Sequence, residues 1–381
     1  MRDILIPFGT RPEIIKLSPV VSALVASGLP VRTVATGQHY QANLVDSFFD
    51  ELRFTPDERW VLEGDAPHRL GAIYEKADRE IETSEPALVL VLGDTNTVPA
   101  FCLAARRHRV PVAHLEAGLR SMNQTSIEEV NRKVAAVCAS LHFAPTPLAA
   151  SFLASEGIDT SRIRVVGNPV LDVLRERAIT ARPLESRAGV AFTAHRATNV
   201  DDPARLRSLV ELARRLAADI GPVTFPVHPR TRARLVEAGL ESMLEAPGLT
   251  ALDPLPYGQM LDLVSKSQVV VTDSGGLQEE ASWLGVPVVV LRRSTPRWEG
   301  VAAGTSILAG LDVETALAAA KKLCSPEAQQ LAATTPCPYG DGHTATQVAE
   351  LLNDQSTWDL LALEEPDLVN WIPSYDLGLQ P

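Results

Sequence analysis

Residues 269–304 read VVVTDSGGLQEEASWLGVPVVVLRRSTPRWEGVAAG, and this stretch decides the fold. The β-branched run Val269 to Thr272 has the continuous apolar character of a buried parallel strand. Asp273 and Ser274 are good N-cap residues, Gly275 and Gly276 leave the helix start bare, and a helix is expected to run to about Leu284. A second apolar run, Val286 to Leu291, leads into a loop carrying Arg292, Arg293 and Arg297. A strand ending in a glycine turn at a helix N-terminus offers backbone N–H groups and a positive dipole end to an anion. Glu280, in the first turns of that helix, is placed to accept hydrogen bonds from a ribose diol. The pattern points to a nucleotide diphosphate at the carboxyl edge of a parallel sheet. Taken alone, it is also an ordinary capped strand–turn–helix.

The chain of 381 residues is long enough for two domains, and its 45% hydrophobic and 22% charged content is that of a globular protein. No apolar run reaches about 18 residues, so no transmembrane helix is expected. MRDILIPFGTRPE at the N-terminus reads as a first strand rather than a signal peptide. Cys102, Cys138, Cys324 and Cys337 are scattered without a CxxC pair, which predicts reduced thiols in a cytoplasmic enzyme and no zinc site. The net charge of −12 argues against a nucleic-acid or anionic-membrane partner. An anionic substrate must then be held by a local cluster of Arg and Lys.

In the first half, the strand Asp3 to Phe8 ends in Gly9-Thr10-Arg11-Pro12-Glu13, followed by an amphipathic helix from Ile14 to about Ala26. Pro12 suits a first helical turn. Arg11 and Lys16 stand near that start, placed for a phosphate or a sugar hydroxyl, or simply solvated there. The strand Val31 to Thr36 ends in Gly37-Gln38-His39, and residues 66–82 read as a helix. Ala87 to Leu92 ends in Gly93-Asp94, where Asp94 meets a ligand at the sheet edge or caps the next helix. Val110 to His114 leads to Glu116, and Glu128 and Glu129 start the helix that follows. Asp94, Glu116 and Glu128 fall along one sheet edge. They form a candidate acid/base set, because close like charges push pKa values apart. Leu141 to Ala144 and Ile163 to Val166 read as the last strands of this half.

Gly167-Asn168-Pro169-Val170-Leu171-Asp172 starts a further helix, and residues 180–188 are the candidate interdomain boundary. The strand Val190 to Thr193 then ends in Ala194-His195-Arg196, which puts His195 at a second sheet edge. Residues 202–218 read as an amphipathic helix, Val223 to Val227 leads to His228-Pro229-Arg230, and Leu252 to Leu255 reads as a strand before a short helix over 257–265. A final helix is expected from Thr344 to Leu352, and the tail after Asp354 shows no periodicity.

The ordered set GTRPEIIKLSP, TGQH, LGDTNT, HLEAGLRS, EEVNR, GNPVLD, AHRATNVDD, PVHPR, TDSGGLQEE and PYGDG resembles the non-hydrolysing UDP-N-acetylglucosamine 2-epimerases from about Ile4 to Leu352. The resemblance implies an α/β fold: two Rossmann-like domains with parallel sheets facing across a cleft, as in GT-B glycosyltransferases. The N-terminal domain would span 1–172 and be joined by 343–381, with 173–342 forming the UDP-binding domain. It further implies reversible inversion at C2 of UDP-N-acetylglucosamine to UDP-N-acetylmannosamine, without cofactor or metal, in a homodimer. UDP is eliminated to give 2-acetamidoglucal and then added back. Carried over by motif, Arg11, Lys16, Asp94, Glu116, Glu128, Arg132 and His195 would face the sugar and its leaving oxygen. Among these, Asp94, Glu116 and Glu128 are the proton-transfer candidates, and His195 would assist near the diphosphate. Ser274, Gly275 and Gly276 would hold the diphosphate, Glu280 the ribose and Arg292 the uridine side. His228 and Arg230 are further candidates.

The chain departs from the family pattern at Ile127, for the proline of PEExNR, and at Cys337, for the asparagine of NPYGDG. In the RxTTERPE loop it has Pro296 for the glutamate and Trp298 for the proline. Losing the carboxylate at 296 keeps open an epimerase of a diacetamido or uronic UDP-sugar. A GT-B glycosyltransferase and a catalytically silent UDP-sugar sensor are the other readings. Many bacterial members are activated by a second UDP-N-acetylglucosamine molecule. The segment YQANLVDSFF after His39 does not match the pattern associated with that site.

Overall fold

A computed structural model describes residues 2–37, 54–62 and 66–363. Gln38, His39 and the YQANLVDSFF segment lie outside the described residues, as does most of the tail. Among the described residues, thirteen strands fall into two all-parallel sheets. The first contains β1 (Ile4–Phe8), β2 (Val31–Ala35), β3 (Glu58–Arg59), β4 (Leu88–Leu92), β5 (Val112–Leu115), β6 (Leu141–Ala144) and β7 (Ile163–Val165), in the order β3-β2-β1-β4-β5-β6-β7. The second contains β8 (Val190–Thr193), β9 (Val223–Pro226), β10 (Leu249–Leu252), β11 (Val269–Thr272), β12 (Val288–Val290) and β13 (Ser306–Leu308), in the order β10-β9-β8-β11-β12-β13. This is the expected α/β, Rossmann-like pairing of parallel sheets. The central strands β1, β4 and β11 are buried throughout, as strands covered by helices on both faces must be.

The order reverses between β1 and β4 in one sheet and between β8 and β11 in the other. At such a switch point the connections leave in opposite directions, and a crevice opens beyond the strand ends. Gly9–Thr10, Gly93–Asp94, His195 and Asp273–Ser274 all follow these four strands.

Several elements differ from expectation. The first helix begins at Arg11, with Pro12 inside its first turn. The strand expected at 252–255 is β10, three residues earlier, and Pro254 and Pro256 lie beyond it. The short strands β3 and β13 were not foreseen. The tail adds a helix, Gln355–Leu361, capped by Asp354. Residues 180–188 are tied to the second half: Arg187 donates to the carbonyls of Gly285 and Leu284, and Arg182 pairs with Asp262.

The chain returns to its first half at the end. Helix Thr344–Asn353 lies on helix Arg11–Ala26, and Ala345, Val348, Ala349, Leu352 and Leu361 join the same core as Ile4, Leu17, Val20 and Leu24. Buried Asp172 accepts from the backbone N–H groups of Thr344 (3.2 Å) and Ala345 (2.8 Å), capping the returning helix from across the chain. Gly167 has φ +87°, and a Cβ there would fall 2.7 Å from the Thr344 hydroxyl, so the crossing needs glycine. No helix among the described residues is long and apolar enough to cross a membrane.

His114 and His142 lie opposite each other on β5 and β6, and both are buried. Burial pushes them down to about 4 and about 3, so both are neutral in the native state. The unfolded chain binds these protons near the ordinary value of about 6.5. Stability is therefore expected to fall as pH drops from about 6.5 towards 4. A series of thermal melts over that window should show a shallower fall for His142→Phe than for the parent chain.

Candidate active site

A cleft of about 510 Å³ opens between the strand ends of the two sheets. From the first half, Thr10, Arg11, Glu13, Lys16, Asp94, Glu116 and Arg132 line it. From the second come His195, Arg196, His228, Tyr257, Ser274, Gly275, Gly276, Glu280, Arg292 and Arg297.

At its floor is a buried ionic network. Lys16 bonds to Glu116 and lies 3.4 Å from Glu279. Arg297 donates to Glu279 at 2.8 Å and reaches to 3.9 Å from Glu116. Asn168 donates to both carboxylates, at 2.6 Å and 3.0 Å. Two anions and two cations thus alternate across the boundary between the halves. Burial alone would raise Glu116, but Lys16, Arg297 and the Asn168 hydrogen bond overcome it and hold this carboxyl well below its usual range. Glu116 also sits at φ +61°, a conformation that non-glycine residues rarely adopt and that recurs at functional sites.

Asp94 forms an ion pair with Arg132, whose Nε also donates to Glu129 at 3.0 Å. Asn131 donates to the Asp94 carbonyl at 2.9 Å, which fixes the loop after β4. Glu128, expected beside Asp94 and Glu116, does not line the cleft. It accepts from Ser126 in the turn before its helix and is half-buried. The next residue, Glu129, turns inward instead and accepts from Arg132 and from the backbone of Ser121 and Met122.

The organising stretch builds the opposite wall. Ser274 caps helix Gly275–Trp283, accepting from Leu277 N–H at 3.5 Å. A Cβ on Gly275 would meet the Arg297 guanidinium at 3.2 Å, while one on Gly276 would meet nothing within 4 Å. A guanidinium thus lies over the bare start of a helix, an arrangement suited to a diphosphate. Asp273 is not a cap. It is buried and accepts from His195 N–H (3.1 Å), Arg196 N–H (2.9 Å) and Asn199 (2.9 Å), and its carboxylate lies 3.4 Å from His195 Nδ1. Burial and the arginines Arg196, Arg230 and Arg292 hold His195 below its ordinary value against the pull of Asp273, so the ring is neutral at pH 7. The His228 ring centroid lies 5.1 Å from that of His195. Arg230 does not face the cleft: it pairs with Asp201 on the surface.

Among the described residues, two lining carboxylates form no salt bridge. Glu280 accepts from the Tyr257 hydroxyl at 2.8 Å, and burial lifts it to about 7. Glu13, which sequence reasoning passed over, accepts from Gly9 N–H (3.0 Å), Thr10 (2.8 Å) and Thr95 (2.9 Å), joining the ends of β1 and β4. Burial lifts it also to about 7. Glu279, Asn168 and Arg297 were likewise not singled out as site residues, although each lies within a quoted motif or loop. Arg292 is brought down to about 9 by burial and by Arg196, Arg297 and Arg132. Among the described residues, no group of three or more His, Cys, Asp or Glu is placed to hold a metal ion.

The sequence model of the family described as UDP-N-acetylglucosamine 2-epimerase matches residues 23–353. A UDP-N-acetylglucosamine 2-epimerase of Methanocaldococcus jannaschii is 34% identical over 360 residues, 90% of this chain and 97% of that protein. A UDP-2,3-diacetamido-2,3-dideoxy-D-glucuronate 2-epimerase of Pseudomonas aeruginosa is 35% identical over 364 residues, 92% of this chain and 99% of that protein. Among solved structures, S. aureus MnaA with UDP superposes with a TM-score of 0.83 at 32% identity, covering 96% of this chain and 99% of that one. The M. jannaschii UDP-GlcNAc 2-epimerase in complex with UDP-GlcNAc and UDP gives 0.80 at 33% identity, with 92% and 99% covered.

The carboxylates of Glu13 and Glu280 are open to direct observation. Carbon-13 titration of the glutamate side chains is expected to show two groups with midpoints near pH 7. Glu13→Gln and Glu280→Gln should each remove one of them; midpoints below 5 for both would refute this electrostatic picture.

Proposed function

The chain belongs to the UDP-N-acetylglucosamine 2-epimerase family, and on that premise we propose that it inverts C2 of UDP-N-acetylglucosamine to give UDP-N-acetylmannosamine. One observation carries the reading. An ionised, buried carboxylate on a lysine, Glu116 on Lys16, shares a single cleft with a glycine-bare helix start overlain by Arg297.

The chemistry requires both parts. The C2 proton is not flanked by a carbonyl, so direct abstraction is very slow. Elimination removes the C2 proton as the C1–O bond breaks, and UDP departs with the electron pair. Re-addition returns the UDP oxygen to C1 and a proton to the other face of C2. The departing charge needs preorganised donors, for which the Gly275–Gly276 helix start, Arg297, Arg292 and Arg11 are suited. The proton transfers need carboxyl groups on opposite faces of the ring, and Asp94 and Glu116 are assigned that role. Lys16 and Arg132 hold these carboxylates, neutral His195 lies towards the diphosphate, and Glu280 and His228 lie on the nucleoside side. We assign the chain a cytoplasmic setting, in keeping with four cysteines that form no disulfide. The domain division at 172 and 343 is retained, supported by the return of helix Thr344–Asn353 to the first core.

A second substrate reading has its own support. A neighbouring cavity of about 680 Å³ shares Arg196 and Arg292 with the cleft and adds Arg205 and Arg293. Among the described residues, none of these four arginines pairs with a carboxylate. Such a surplus suits a sugar that carries its own carboxylate. Relative turnover of UDP-N-acetylglucosamine and its uronate separates the two.

Incubation with UDP-N-acetylglucosamine in D₂O should yield deuterium at C2 and a manno-configured UDP-sugar by proton NMR. Asp94→Asn and Glu116→Gln are expected to lower turnover by roughly 100-fold or more, the scale of a general acid or base, while UDP still binds. Wild-type rates in both variants would remove them from the mechanism.

A homodimer is also part of the proposal. Ile127, Val130, Val134 and Val137 form an apolar stripe along the outer side of helix Ile127–Cys138, with Val137 83% exposed. The occupant assigned to it is the same stripe of a second copy. Light scattering should give a dimer for the parent chain and a monomer for Val130→Glu/Val137→Glu; a monomeric parent would exclude the dimer.

A further inference from the structure

Trp298 stands where the family loop carries proline, and its surroundings give it a task. The loop after β12 leaves the second sheet and crosses to the first half, where three consecutive residues attach. Arg297 reaches Glu116 and Glu279. The Trp298 indole N–H donates to the Arg120 carbonyl at 2.8 Å. Glu299 accepts from the Thr146 hydroxyl. The anchor for the indole is rigid: Arg120 is 1% exposed and gripped by Glu156 through two parallel bonds of 2.8 Å and 2.6 Å. On the other side, Arg297 N–H donates to Thr295, which in turn donates to Gln278 at 3.0 Å. The Arg297 backbone is therefore held between one fixed point on each half.

We propose that Trp298 is a positioning residue, whose bond to the Arg120 carbonyl holds the Arg297 guanidinium beside Glu116 and over the helix start at Gly275. This rests on the reading of Glu116 as a proton-transfer group and of Gly275 as part of the diphosphate site. An arginine reaches these groups through a flexible stem, and a displacement of about an ångström in a catalytic group costs far more in rate than in binding. The indole fixes the base of that stem. It also explains how the chain tolerates losing the proline: proline at 298 would restrict the backbone of residue 297 and its own φ, and tryptophan supplies a directional tether in place of that restriction.

Trp298→Phe keeps the ring and removes the donor, and three measurements test it. First, kcat for the UDP-sugar should fall about fivefold, the scale of one lost hydrogen bond, with KM nearly unchanged. Second, the Arg297 Nε–H resonance, assigned by its loss in Arg297→Met, should exchange with solvent markedly faster in Trp298→Phe. That readout needs no turnover. If the parent chain proves inactive on every UDP-sugar, the functional reading fails while the tether is still judged by exchange. Third, the double variant Trp298→Phe/Arg297→Met should be no slower than Arg297→Met alone, because the tether acts through the guanidinium. An unchanged Arg297 Nε–H exchange rate would overturn the proposal. So would additive losses in the double variant, or a lowered melting temperature with kcat intact.

Discussion

Four buried charges hold this structure to its purpose: Glu116 and Lys16 from the first half, Glu279 and Arg297 from the second. Burying ions is expensive, and a pair of this kind often contributes little net stability compared with apolar residues of the same volume. Here each ion touches two of opposite sign or nearly so, and Asn168 satisfies oxygens of both carboxylates. The set is neutral as a whole and severely unbalanced if one member is removed. That makes it a poor glue and a good gauge, because the halves meet only in the register that closes the alternation. In the dry interior it also keeps a carboxylate ionised where burial alone would have protonated it.

The rest of the cleft is polarised around that centre. Asp94, Glu116 and Glu13 come from the first half, while Arg196, Arg292 and Arg297 come from the second. Arg11, Lys16 and Arg132 balance the carboxylates of the first half, so a chain of net charge −12 carries a positive wall opposite a charge-balanced one. Burial first, and then repulsion from Arg196, Arg297 and Arg132, bring Arg292 down to about 9, and a bound anion would offset both. Glu13 and Glu280, each lifted to about 7 by burial, are only partly ionised at neutral pH.

The sheets were legible because strands buried on both faces read as unbroken apolar runs, and the candidate ligand-facing ends of β1, β4 and β11 were legible because glycine and a charged residue lie within the next three positions. β3 has two residues and β13 begins with serine, so neither leaves such a run. Site membership was legible wherever a side chain sits at a strand end, as with Asp94, His195 and Ser274. On helices the outcome was mixed: Arg11, Lys16, Arg132 and Glu280 line the cleft, whereas Glu128 does not. Glu128 and Glu129 are adjacent and alike, and both lie one turn before Arg132 on the same helix, so the pattern does not say that Glu129 takes the ion pair. Arg230, two positions after the His228 cap, is turned to Asp201. Glu13 was passed over in the segment before the first helix; one of its hydrogen-bond donors, Thr95, lies 82 residues away.

The Asp172 cap on the returning helix bears on the order in which the molecule can be made. Synthesis runs from the N-terminus, and domains generally form as they emerge. The first sheet is complete once β7 has been made, but helix Arg11–Ala26, packed on Val170–Glu176 within the first half, gains the rest of its cover from helix Thr344–Asn353. Throughout translation of the whole second sheet, that part of the cover is missing and the Asp172 carboxylate has no helix end to cap. The half of the molecule that is begun first is therefore the last to be sealed.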